Sequence, residues 1–153
     1  MPLALLDLEG PERRAALVGG LRAETGIDEA LIERMVRAFY GAARADARLG
    51  PIFAAHVGDW EAHIERLCRF WSSVTLMSGE YHGEPMRAHL PLPVAGEHFA
   101  RWLALWEETA HAVCPPPAAA RFIDRARRIA QSLERGLAAA RGVLPAPRGA
   151  AAG

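Results

Sequence analysis

The chain has 153 residues, 51% hydrophobic and 24% charged, with 18 acidic and 18 basic residues giving a formal net charge of zero. That profile describes one globular domain large enough to bury a core without staples, with no net field to attract nucleic acid or an anionic membrane. All 18 cations are arginine, excluding a Schiff-base or phosphate-loop lysine, and Cys68 and Cys114 are too few for a disulfide framework or a cysteine-rich zinc site.

Residues 1–27 read as an extension, in which Pro11 to Thr25 can form a short amphipathic helix weakened at its centre by Gly19-Gly20. No basic leader precedes Asp7 and Glu9, and no apolar run approaches the ~20 residues of a membrane span, so a cytoplasmic location is expected. The first strong helix starts at the N-cap Asp28, with Leu31, Met35, Ala38, Phe39 and Ala42 at helical spacing and Tyr40 beside them. Leu49-Gly50-Pro51 ends this segment, and Ile52-Phe53 folds back onto the core. A second helix runs from Asp59 to about Met77, where His63, Leu67, Phe70, Val74 and Met77 share a face.

A loop over 78–85 leads to a turn of helix, Met86 to Leu90, stopped by Pro91 and Pro93. The third long helix covers Gly96 to Val113, with Phe99, Trp102, Leu103, Trp106 and Ala110 on one side. Pro115-Pro116-Pro117 breaks it and opens the last helix, about Ala118 to Arg141, striped by Phe122, Ile123, Ala126, Ile129, Ala130, Leu133 and Leu137. The folded domain is therefore 28–142, and 143–153 reads as a disordered tail. Nothing alternates as a strand would. The fold class is all-α.

Two histidines carry the chemistry. His89 lies on a short stiff segment ahead of two prolines, where its ring has little rotamer freedom, and a backbone carbonyl is the expected partner for its second nitrogen. His63 shares a helix face with apolar residues, near the aromatic groups Phe39, Tyr40, Phe70, Trp71 and Trp102. Taken singly, each of these is an ordinary core or loop residue. Together they are what a helical protein needs to hold haem iron.

The runs Phe39-Tyr40, Asp46 to Phe53, Trp60 to His63, Phe70-Trp71, Tyr81 to Pro85, Arg87 to Leu90 and Phe99 to Leu103 resemble the third group of truncated haemoglobins over roughly residues 28–140. The resemblance implies a shortened globin with two helices packed over two, binding one haem b with His89 as the metal ligand. It implies distal roles for Tyr40, His63 and Trp102, and packing of the pocket wall and the core behind it by Phe39, Phe70 and Trp71. Arg66 and, more weakly, Arg87 are the implied partners of the haem propionates. Trp106 adds bulk to the Trp102 face and is expected to narrow a ligand route.

A diatomic ligand that gains negative charge on binding is stabilised by each N–H or O–H donor by ~1 kcal/mol, so two or three donors slow its release by ~10- to 100-fold. The implied partners are therefore O2, NO, CO or peroxide and a reductase, with no nucleic acid and no membrane. The implied function is retention of a diatomic ligand, with peroxidase-like or nitric oxide dioxygenase chemistry as an extension of it. The rival readings are a haem-free interaction or sensing protein on a globin-like scaffold and a non-haem metal protein. The second is weak: Glu108-Thr109-Ala110-His111 is a lone Glu-x-x-His motif, and His56 with His63, or His82 with His89, lacks a third ligand.

Overall fold

The computed structural model describes residues 10–142. The predicted tail, 143–153, and the first nine positions of the extension lie outside the described residues. The described chain is entirely helical: α1 (Gly10–Thr25), α2 (Glu29–Ala45), α3 (Gly50–His56), α4 (Trp60–Leu76), α5 (Pro85–His89), α6 (Gly96–Val113) and α7 (Pro116–Ala140). None is long and apolar enough to cross a membrane.

The two aspartates start their helices as their side-chain chemistry requires. Asp28 accepts from the Leu31 amide at 2.8 Å and Asp59 from the Ala62 amide at 3.1 Å, each satisfying one orphan donor of the first turn. At the other end of α4, Met77 is left-handed (φ 59°). There Arg121 Nε donates to Thr75 O at 3.1 Å and Arg14 Nη1 to Met77 O at 3.1 Å, placing two cations on carbonyls where the helix dipole favours them. Through Arg14 and the partly buried Val18 and Leu21, α1 is fastened to α4 and α7. It is a helix, but residues around most of its circumference are exposed, so the expected amphipathic stripe is reduced to a few contacts.

Two expectations for the next segment are corrected. The buried stripe of α2 is Leu31, Ile32, Met35, Val36, Phe39, Tyr40 and Ala43, whereas Ala38 and Ala42 are exposed. The helix is rotated so that its larger apolar groups are covered. Leu49-Gly50-Pro51 is not a terminator but the start of α3, with proline in the first turn. A Cβ at Gly50 would sit 2.6 Å from Arg44 O, so glycine is what lets the corner close.

Asp46 holds that corner. It accepts from the Arg48 and Leu49 amides, both at 3.0 Å, and from Arg101 Nε on α6 at 2.7 Å. The Leu49 amide, with Arg101 and the Arg48 amide, keeps this carboxyl below its ordinary range.

The helices pair as α2 with α4 and α6 with α7, joined through α2 on α6 and α4 on α7. At their meeting point lie Phe39, Trp106 and Phe122, all with no exposed surface, beside Trp71. Trp106 stacks on Trp71 with centroids 4.2 Å apart and on Trp102 at 5.4 Å, and its Nε1 donates to Phe122 O at 3.2 Å.

Candidate functional site

The aromatic core opens on one side into a cleft. Tyr40 reaches it from α2, Phe53 from α3, and His63, Arg66, Leu67, Phe70 and Trp71 from α4. His89 comes from α5, His98, Phe99 and Trp102 from α6, Ile129 and Leu133 from α7, and Tyr81, Leu92 and Val94 from the loops around α5. This explains why the His63, Leu67, Phe70 face of α4 is only partly buried, while Ile64, Trp71, Ser72, Thr75 and Leu76 carry the packing. Of the predicted face, His63, Leu67 and Phe70 line the cleft, Val74 packs on the core and Met77 is exposed.

Of the residues singled out by sequence, Tyr40, His63, Arg66, Phe70, Trp71, His89 and Trp102 share this cleft. Phe39 does not line it. It is buried behind Tyr40, edge-on at 4.9 Å, and against Trp102 at 5.5 Å. Trp106 is likewise behind the wall and cannot narrow a route through it. Arg87 is also absent from the lining, being largely exposed and paired with Glu84 at 3.2 Å. Its place on the one-turn α5 directs it away from the cleft that His89 faces. Conversely, Tyr81, named above only as the head of a family-like run, and His98 line the cleft without having been given a role in it. His98 Nδ1 accepts from the Ala95 amide at 2.9 Å, and the Tyr81 amide donates to Ser73 Oγ at 2.8 Å.

His89 has the carbonyl partner expected of it. Its Nδ1 is 2.6 Å from Pro85 O, so that nitrogen is the N–H donor and the lone pair falls on Nε2. Among the described helices, α5 packs on α7 alone, so the cleft separates it from the elements that carry Tyr40, His63 and Trp102.

Those three side chains present polar atoms without partners among the described residues. His63 Nε2 is buried and unbonded. Neither the Tyr40 hydroxyl nor the Trp102 indole N–H is hydrogen-bonded to another described residue. Tyr40 sits in a cage of rings, with Phe53 at 5.3 Å, Trp60 at 6.0 Å and His63 at 5.4 Å, and burial raises its phenol pKa, so the proton stays on as a donor. Arg66, on the cleft wall, makes no ion pair with another described residue. Among the described residues no three His, Cys, Asp or Glu side chains gather as a metal site.

Burial, and next the charge of Arg66, lower the pKa of His63, with a consequence for stability. Above the ordinary histidine value of ~6.5 the ring is neutral in both folded and unfolded states. As pH falls from there through the lower folded-state pKa, the unfolded chain binds the proton first and stability is lost. Thermal melts of the full chain between pH 7.5 and 5 are expected to show a smaller acid loss in His63→Leu than in the unaltered protein. Equal losses would show that His63 is not the group responsible.

An all-helical scaffold around an aromatic, histidine-bearing cleft is that of a shortened globin. The crystal structure of group III truncated hemoglobin from Campylobacter jejuni matches this fold with a TM-score of 0.68 and 33% identity, covering 72% of this chain and 91% of that one. The group 3 truncated hemoglobin ctb of Campylobacter jejuni is 33% identical over 113 residues, which span 71% of this chain and 89% of that protein. No family model matches the chain. With that identity over nearly the whole of its relative, this chain belongs to the group 3 truncated haemoglobins, which are haem-binding globins.

Proposed function

We propose that this chain binds haem b through His89 in a two-over-two globin and retains O2 or a related diatomic ligand in a hydrogen-bonding pocket. Haem held by His89 would supply an iron able to bind such a ligand and one-electron redox chemistry. The observation that carries this reading is a tautomer-fixed imidazole in the same cleft as three uncommitted donors, Tyr40, His63 and Trp102.

The residues fit the group. Phe53, Leu67, Phe70, Phe99, Ile129 and Leu133 supply apolar surface for the porphyrin disc. Arg66 supplies a cation for a propionate, and the exposed, Glu84-paired Arg87 is withdrawn from that role. The pairing of α2 with α4 and of α6 with α7 supports the two-over-two arrangement. Tyr40 donates to a ligand that has gained negative charge, and its raised pKa keeps it protonated throughout the neutral range. A donor set of this kind suits retention or redox conversion of the ligand better than its delivery, and the ferrous state then requires a reductase partner.

The test is Tyr40→Phe, which removes one hydroxyl and little volume. Oxygen dissociation from the ferrous variant is expected to quicken about 10-fold, the loss of one hydrogen bond to a charged acceptor. Stopped-flow displacement by CO measures it, and an unchanged rate would remove Tyr40 from the ligand's hydrogen bonds.

A further inference from the structure

α5 cannot hold its own shape. It has five residues, none of them buried. One turn of helix is unstable in water without tertiary support, because nucleation fixes several residues for a single hydrogen bond. Yet it carries His89, whose direction matters to any metal it ligates. Something else must fix it, and its helical neighbour is α7.

Two features at the end of α7 meet this element. The flexible end of Met86 lies over Gly136, which marks where α5 meets α7. Beyond it, Arg141 spreads its guanidinium across the α5–α6 connection. Nη2 donates to Leu92 O at 2.7 Å and Nη1 to Val94 O at 2.6 Å. The Leu92 amide in turn donates to His89 O at 3.0 Å. Two hydrogen bonds in series therefore run from Arg141 to the backbone of His89. The segment they pin holds Pro91 and Pro93, which lack amide hydrogens and fix their own φ, so it has few donors of its own and moves as a stiff piece. Leu92 and Val94 both line the cleft.

We propose that Arg141 is the positioning residue for His89: its planar fork clamps the Leu92 and Val94 carbonyls and sets the direction from which the imidazole enters the cleft. This rests on the reading of His89 as the haem ligand. A lysine at 141 carries the charge without the fork and spans one carbonyl in place of two.

The experiment compares the full-length unaltered protein with R141A, R141K and, as a control on the same helix, R127A, whose arginine pairs with Glu107. Haem transfer to an excess apo-globin acceptor, the ferrous iron–histidine stretching band and amide hydrogen exchange over 86–94 are measured. R141A is expected to lose haem about 10-fold faster, with a shifted or broadened stretching band and faster exchange over 86–94. R141K recovers part of each change, and R127A matches the unaltered protein in all three. Wild-type haem loss and band position in R141A, equal effects in R127A, or faster haem loss without faster exchange would overturn the proposal. If the unaltered chain takes up no haem, the reading of His89 fails instead, and exchange over 86–94, measured on the haem-free full chain, still decides whether Arg141 orders the segment.

Discussion

Replacing His89 by alanine is expected to abolish stable haem retention, lowering affinity by at least about 100-fold and removing the iron–histidine band from the ferrous spectrum. The imidazole is the one cleft side chain whose Nδ1 is committed to a carbonyl, at 2.6 Å from Pro85 O, so Nε2 carries the lone pair a metal needs. On the proposed reading, apolar contacts around the porphyrin remain in the variant, but the metal–ligand bond and its orientation are lost. Added imidazole is expected to restore a haem spectrum by occupying the space left by the ring. Titration with haem, followed by absorbance, gives both results. An H89A variant with unaltered affinity and spectrum would transfer the ligand role to another residue.

The second large effect falls on the core behind the cleft. Trp106→Ala is expected to cost about 3–5 kcal/mol of stability, a large share of the ~5–15 kcal/mol that holds a domain together. Trp106 is wholly buried, stacked on both Trp71 and Trp102 in a cluster of three, edge-on to Phe39 at 5.0 Å, and hydrogen-bonded to Phe122 O. Its removal leaves a cavity where α2, α4, α6 and α7 meet, and it frees the two tryptophans that form cleft wall. Urea unfolding measures the loss as a lower midpoint. A cost below about 1 kcal/mol would mean that the stack closes over the gap and that Trp106 does not organise the core.

Much of this architecture is legible in the sequence because its signals are local. Asp28 and Asp59 announce their helices through side-chain oxygens that cap them, and the prolines at 115–117 mark the α6–α7 boundary. The apolar stripe of α7 is buried nearly as its spacing predicts. Where the reading failed, the cause is tertiary. Gly50-Pro51 has the composition of a breaker, but a close approach to Arg44 O and proline's fitness for a first turn make it a start. Ala38 and Ala42 obey helical periodicity as well as Ile32, Val36 and Ala43 do, and only the partners of α2 decide which set is covered.

The site divides the same way. Tyr40, His63, His89 and Trp102 are recognisable because the runs that carry them resemble the truncated haemoglobins, and the cleft brings the four together. Tyr81 and His98 gain no site role from the sequence because neither belongs to an apolar period, and each joins the cleft through its surroundings. Arg141 is further still from any sequence signal, since a helix-terminal arginine ordinarily meets its own last carbonyls and here reaches across to another segment.

One imidazole holding a porphyrin on the far side of the cleft from a phenol, an imidazole and an indole is the claim on which the functional account stands. It is tested most directly by the absorption spectrum of the unaltered chain, expressed with excess haem precursor and recorded ferric, ferrous and after addition of CO. The account predicts an intense Soret band for a single haem, histidine-ligated in the ferrous form and converted by CO to a six-coordinate species. A colourless protein that also fails to take up added haem would contradict it.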